Sequence, residues 1–232
     1  MSELGASLRD RYLGVVSRIE SAALSAGRDP SEVELVVISK NHPASMVVDL
    51  AAMGARNFGE NRDQEARPKS EEVSAAGVEG ITWHFVGQLQ SNKAKSALSY
   101  AKVLHSLDRD SLLTAVAKAA IELPEPVQVF IQLNLTDDPG RGGIQPASLE
   151  EFANRVLSSP NLVLLGVMGV AALNRPPAQD FETILWASQK LQTIDPTAKF
   201  ISAGMSEDFE EAIAFGATHV RVGSAITGKR QY

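Results

Sequence analysis

The sequence predicts a (β/α)8 (TIM) barrel of the α/β class, and three observations carry that prediction. Eight strand-like segments follow one another, each but the last clearly succeeded by a helical stretch. The 232-residue length is near the ~250 residues usual for such barrels, and polar residues fall at the ends of the strands. A doubly wound open sheet is the alternative, because alternation alone does not close a barrel. No shift of composition marks a linker, so residues 1–232 read as one domain.

Ahead of the first strand, Leu4, Leu8, Tyr12, Val15, Ile19 and Ala23 recur at helical spacing, and Gly27 and Pro30 supply a stop. That spacing predicts an extra N-terminal amphipathic helix over residues 3–26. Val33 to Ser39 is strand one; Pro43 and Ala44 open a helix that Gly54 ends. Asn57 to Asn61 forms strand two and its turn, a charged helical segment follows, and Trp83 to Val86 is strand three. A helix over Asn92–Tyr100 leads to strand four at Val103–Ser106, after which Asp108 or Asp110 caps a helix running to Leu123. Strand five is Val127–Leu135, and Ser148 caps a helix through Leu157. Leu162–Val170 is strand six, Phe181–Leu191 lies in a helix, and Lys199–Ala203 is strand seven. Ser206 opens the next helix, Gly216 ends it, and His219–Val222 is strand eight.

Composition narrows the function. With 44% hydrophobic and 22% charged residues the chain is an ordinary globular protein, and a net charge of -6 argues against nucleic-acid backbone binding as its main activity. It has no cysteine, which excludes disulfides, thiolate catalysis and cysteine-ligated metals; no cluster has metal-ligand spacing, and the four histidines are scattered. Charged residues from Glu3 to Arg18 interrupt any signal-peptide core, and the run Leu162–Leu173 is too short to cross a bilayer, so the expected location is cytoplasmic, without membrane attachment.

In a barrel of this kind the chemistry gathers at the C-terminal ends of the strands. Lys40, at the end of Leu-Val-Val-Ile-Ser-Lys, stands there. An ordinary amine, with pKa near ~10.4, is almost wholly protonated at neutral pH; burial and nearby cations lower that value and permit Schiff-base formation with a carbonyl compound. The plainer reading is a lysine that reaches solvent or pairs with a carboxylate. Ser202-Ala203-Gly204-Met205-Ser206 and Gly223-Ser224 follow strands seven and eight, where barrels of this class bind phosphate. Each alone fits a helix cap or tight turn; together, opposite Lys40, they point to a phosphorylated carbonyl compound. Asn61, Asn134, Met168 and Arg221 also sit at or near strand ends. His84 fits either a satisfied core histidine or a ligand; Lys93 and Lys95 fit a solvated face or a phosphate-steering edge; and the glycine-rich stretch Asp137–Gly143 with Arg141 fits a mobile loop or a lid.

Several ordered motifs resemble the pyridoxal phosphate homeostasis proteins (the YggS/PROSC family), whose fold is that of the alanine racemase N-terminal barrel domain. They are Val37-Ile38-Ser39-Lys40, Phe58-Gly59-Glu60-Asn61 with Gln64-Glu65, Trp83 to Lys93, Gly166-Val167-Met168, Gly204-Met205-Ser206 with Asp208, and Arg221 to Ile226. The resemblance implies that Lys40 holds pyridoxal 5'-phosphate (PLP) as a Schiff base. It implies that Ser202, Ser206, Gly223 and Ser224 surround the phosphate, that Met205 is a further cofactor-binding residue, that Asn61 and Met168 line the ring pocket, and that Arg221 faces the pyridine nitrogen. The chain departs from the family pattern at Ser224, Thr227 and Ala203, and at Arg141, where lysine is usual; the last puts in doubt any role that needs an amine there.

Two classes of function follow from the resemblance. One is a PLP-binding protein of intracellular PLP homeostasis, supplying apo-enzymes. The other is a PLP-dependent, racemase-like enzyme. A two-base racemase needs a group on the far face of the cofactor, in alanine racemases a tyrosine from an added C-terminal domain; here Tyr232 stands ten residues after Val222, so the non-catalytic role and a monomer are expected. A lysine-dependent aldolase acting on a sugar phosphate fits the strand-end residues but lacks the motifs.

Overall fold

The computed structural model describes residues 7–136, 138–172 and 174–228. Its centre is a closed parallel barrel in which β1 to β8 pair in sequence order and β8 returns to β1. The strands are β1 (Glu34–Ile38), β2 (Asn57–Glu60), β3 (Thr82–Phe85), β4 (Ala101–Leu107), β5 (Val127–Gln132), β6 (Leu162–Met168), β7 (Phe200–Ser202) and β8 (His219–Val222). Closure is explicit in the register, with Glu34 opposite His219 and Val37 opposite Val222. The open-sheet alternative is therefore excluded.

Between and around the strands lie α1 (Leu8–Ser25), α2 (Ala44–Ala52), α3 (Asp63–Ala75), α4 (Ala94–Ala97), α5 (Asp110–Ala120), α6 (Leu149–Leu157), α7 (Pro177–Gln192), α8 (Phe209–Ala214) and α9 (Ser224–Thr227). The first forms where its apolar spacing predicts: Tyr12, Val15, Ile19 and Ala23 are buried on one face. A capping box starts it, in which Ser7 Oγ accepts from the Asp10 amide at 3.1 Å and the Asp10 carboxylate accepts from the Ser7 amide at 3.2 Å. Gly27, at φ +70°, takes the left-handed conformation that ends the helix. Leu4 and the remainder of the predicted start lie outside the described residues.

This helix braces the far end of the chain. Arg11 Nε donates to the Ile226 carbonyl (2.6 Å), Arg18 pairs with Glu210 (2.5 Å) and lies 4.6 Å from the Phe209 ring centre, and Arg28 Nη1 donates to the carbonyls of Ile213 and Ala217 (3.0 and 2.8 Å). The main apolar core runs between the strands and the helical ring, and includes Val47, Phe58, Leu104, Val129, Phe152, Phe181 and Val220. A smaller cluster of Val103, Phe130 and Met168 occupies the lumen.

Several boundaries differ from those the sequence predicts. Strands five, six and seven are shorter than predicted by one to three residues at their ends. Asn92–Tyr100 is a 3-10 turn (Ser91–Lys93) followed by the single-turn α4. Arg109, rather than Asp108 or Asp110, occupies the N-cap of α5; Asp108 is instead paired with Arg109 at 2.5 Å. Ser148 does stand at the N-cap of α6, without a side-chain capping bond. Ser206 does not open a helix: α8 begins at Phe209, after a turn in which the Asp208 carboxylate accepts from the Met205 amide at 2.6 Å. The chain needs that turn because Gly204 (φ +89°) packs directly on α8; a Cβ there would lie 2.7 Å from Ala212 Cβ.

Candidate functional site

A cavity of about 510 Å³ opens at the C-terminal ends of β1 and β8, within the size range of small-molecule sites. Six of the nine site residues expected from the sequence line it: Lys40, Met205, Ser206, Arg221, Gly223 and Ser224. Lys40 stands two residues beyond β1 and is half-buried. On the opposite wall, Ser206 Oγ accepts from Ser224 Oγ (3.1 Å) and from the Ala225 amide (3.3 Å), so hydroxyls and an amide converge. Gly223 keeps this wall close to β1, since a Cβ would meet Ile38 Cβ at 3.3 Å.

Arg221 enters the cavity from the barrel interior and is 5% exposed. Nη1 donates to Ser202 Oγ (2.5 Å) and Nη2 to the Gly169 carbonyl (2.9 Å). Burial lowers its pKa to about 10, against the favourable field of Asp208, so it is a cation at neutral pH. Arg175, on the cavity rim, donates to the Leu135 carbonyl (2.5 Å) and pairs with the buried Asp180, whose carboxylate also accepts from the Ala172 amide at 2.7 Å. This clasp fixes the connection from β6 to α7.

The other three expected residues lie outside that lining. Met168 is buried in the lumen beside Phe130. Ser202 is fully buried there too, its hydroxyl held between Arg221 and His105 (2.8 Å) rather than facing the cavity. Asn61, just past β2, has a buried Oδ1 with no hydrogen-bond partner, while its backbone packs where a Cβ on Gly87 would come within 2.2 Å of its carbonyl oxygen.

Next to Lys40 along the chain sits a buried ion pair. Lys69 Nζ donates to Glu60 Oε1 (2.5 Å) and to the Ser39 carbonyl (2.8 Å), and Ser39 Oγ donates to the same carboxylate oxygen (2.8 Å). It holds the residue before Lys40 against β2. Sequence reading missed Lys69 and Arg175; the signal for Lys69 was a lysine on the same helical face as Ala66 and Val73.

His84 turns out to be neither isolated nor exposed. It contacts His105 (2.8 Å) and Asn57 (3.1 Å), so three histidines that are scattered in sequence, 84, 105 and 219, share the barrel interior. Burial drives His84 down to about 3, with the nearby His219 adding to the effect, and His105 well below its ordinary value. Lys95 lies on a solvated face, paired with Glu122 at 2.6 Å. In the glycine-rich stretch, Pro139–Arg141 forms a 3-10 turn and Ile144 returns to pair beside Leu133; Asp137 lies outside the described residues. Among the described residues no group of three His, Asp or Glu side chains is arranged so that it could hold a metal ion, and no helix is long and apolar enough to cross a membrane.

A buried, hydrogen-bonded arginine, a lysine and paired hydroxyls line one cavity at the top of a parallel barrel, the face on which (β/α)8 proteins carry their sites. The family model "Alanine racemase, N-terminal domain" matches residues 22–231. The chain is 39% identical over 222 residues to a pyridoxal phosphate homeostasis protein of Escherichia coli K12, covering 94% of each. It is similar to PipY of Synechococcus elongatus with PLP bound (33% identity, TM-score 0.80, 92% of this chain and 100% of that one). It is also similar to a protein of Bifidobacterium adolescentis (27% identity, TM-score 0.88, 94% of each). The chain belongs to the family of pyridoxal phosphate homeostasis proteins, barrels of the alanine racemase N-terminal type.

Proposed function

We propose that this protein binds pyridoxal 5'-phosphate through a Schiff base at Lys40 and serves intracellular PLP homeostasis, handing the cofactor to apo-enzymes. The observation that carries the reading is the convergence of Lys40, Arg221 and the Ser206–Ser224 pair on one cavity. The residues fit the group. The hydroxyls and the Ala225 amide suit a phosphate, and Gly223 leaves room for it where a side chain would press on Ile38. The unpartnered Asn61 Oδ1 is a buried acceptor close to the same strand ends. PipY, a relative at 33% identity, is known with PLP bound.

When bound, the cofactor supplies a reactive aldehyde and an electron-accepting ring. Arg221 determines how far that ring is used. A guanidinium accepts no proton, so a pyridine nitrogen held against Arg221 would stay unprotonated and the ring would be a weaker electron sink. Such a site favours holding and releasing the cofactor over forming carbanions.

Absorbance of the purified protein incubated with PLP, followed by borohydride reduction and peptide mass spectrometry, tests the reading. The expected result is a reduced adduct on Lys40 that Lys40→Ala abolishes; an adduct on another lysine, or none, overturns it. Incubation with L-alanine and chiral analysis separates the carrier from the racemase-like reading, since interconversion at enzyme-like rates would exclude the former.

A further inference from the structure

A continuous run of side-chain hydrogen bonds threads the barrel lumen. From the cavity it passes from Arg221 Nη1 to Ser202 Oγ (2.5 Å), then to His105 Nδ1 (2.8 Å), from His105 Nε2 to His84 Nδ1 (2.8 Å), and from His84 Nε2 to Asn57 Oδ1 (3.1 Å). Asn57 Nδ2 then reaches Glu34 Oε1 at 2.5 Å, at the opposite mouth of the barrel.

The proton arrangement follows from either end. At the top, a guanidinium only donates, so Ser202 Oγ accepts from Arg221 and has its own proton free for His105 Nδ1. At the bottom, the Glu34 carboxylate, held ionised by its hydrogen bond with His219, only accepts. Asn57 therefore turns its amide nitrogen to Glu34 and its oxygen to His84, which requires a proton on His84 Nε2. A neutral imidazole carries one proton, so His84 Nδ1 accepts from His105 Nε2, and His105 Nδ1 accepts from Ser202. Two independent starting points give the same arrangement. Deep burial keeps both rings neutral, and the face of Phe130, stacked on His105 at 4.7 Å, closes off water on that side.

We propose that Ser202 and His105 are positioning residues that aim Arg221 at the ring nitrogen of the bound cofactor, as the upper end of a one-way hydrogen-bond chain terminating on Glu34. The proposal rests on the cofactor reading above. Relay of protons is not its purpose, because the donor at the top is a guanidinium that keeps its protons at neutral pH. Orientation is what it supplies. Ser202 Oγ and the Gly169 carbonyl fix two arms of Arg221 and leave its other N–H groups for the cavity. Had His105 been the other tautomer, its Nδ1–H would compete with Arg221 for the Ser202 lone pairs and strand the hydroxyl proton in an apolar lumen.

The test uses the full chain with 15N-labelled histidine. Nitrogen–proton correlation spectra without cofactor should show His84 and His105 neutral with the proton on Nε2; an Nδ1–H form at either ring overturns the chain. Ser202→Ala should give His105 mixed tautomers, weaken PLP binding about tenfold and shift the 15N resonance of the labelled cofactor's ring nitrogen, and Ser202→Thr should restore all three. A wild type that binds PLP while Ser202→Ala leaves the ring resonance and the affinity unchanged sinks the positioning role alone. A wild type that binds no PLP sinks the cofactor reading with it.

Discussion

Acidification tests the buried histidines directly. In the unfolded chain His84 and His105 regain the ordinary histidine pKa of 6.5, whereas in the fold His84 is lowered to about 3 and His105 lies well below 6.5, both chiefly through desolvation. For a group whose folded pKa is depressed, stability is fully present above the unfolded value and is lost as pH falls toward the folded one. Between pH 7.5 and 5.5 each unfolded-state ring takes up most of a proton that the folded ring refuses. With 1.36 kcal/mol per pKa unit, the pair lowers the unfolding free energy by about 3 kcal/mol over that interval. That is a large share of the 5–15 kcal/mol typical of a folded protein, roughly speaking. Urea denaturation at pH 7.5, 6.5 and 5.5 measures it, in a window above the titration of ordinary carboxylates. His84→Gln removes one of the two rings, and its unfolding free energy should fall with pH about half as steeply. If the wild type and His84→Gln show the same pH dependence, the ring is not held neutral and the reasoning fails.

Three further outcomes are expected from single substitutions. Lys69→Met leaves Glu60 charged and buried without its cation, which should cost about 3–5 kcal/mol in denaturant titrations; a loss below ~1 kcal/mol would mean that the pair is not dry. Gly204→Ala combines a left-handed backbone with a 2.7 Å approach to Ala212 Cβ and should destabilise by roughly 2 kcal/mol or more, seen as a Tm lower by about 4–8 °C. Ser7→Ala removes the cap of α1 and should cost about 1 kcal/mol, with calorimetry as the check; an unchanged Tm would show that the capping box contributes nothing to the folded state.

The barrel was legible because each strand announces itself as an apolar run bounded by turn residues, and the helices between them carry helical spacing. Lys40, Arg221 and the two serine turns were legible because polar residues at the C-terminal ends of strands have few structural reasons to be there. Ser202 has a second place that its position in sequence does not show: it closes strand seven, yet its side chain turns into the lumen, opposite His219 across the β7–β8 pairing. The histidine cluster was invisible, since each ring stands on a different strand and only barrel closure brings them together. Irregular registers at Trp83/His84 and Val129/Phe130 add to the difficulty, because a bulge shifts the inward and outward alternation that sequence patterning depends on. The start of α8 was misplaced because Ser206 resembles a cap, whereas Asp208 makes the turn-closing bond.

The brace between α1 and α9 bears on the stability of the cavity wall. A four-residue helix such as α9 has no independent stability, being too short to offset the cost of nucleation. Its order is borrowed from α1, through the grip of Arg11 on the Ile226 carbonyl and the packing of the two helices. The backbone of Ser224 and Ala225, on the cavity wall, is thus expected to unfold together with residues 8–25 rather than with strand eight that it follows. Amide hydrogen exchange at Ser224 and Ala225 is therefore expected to follow the detachment of the N-terminal helix rather than the opening of strand eight.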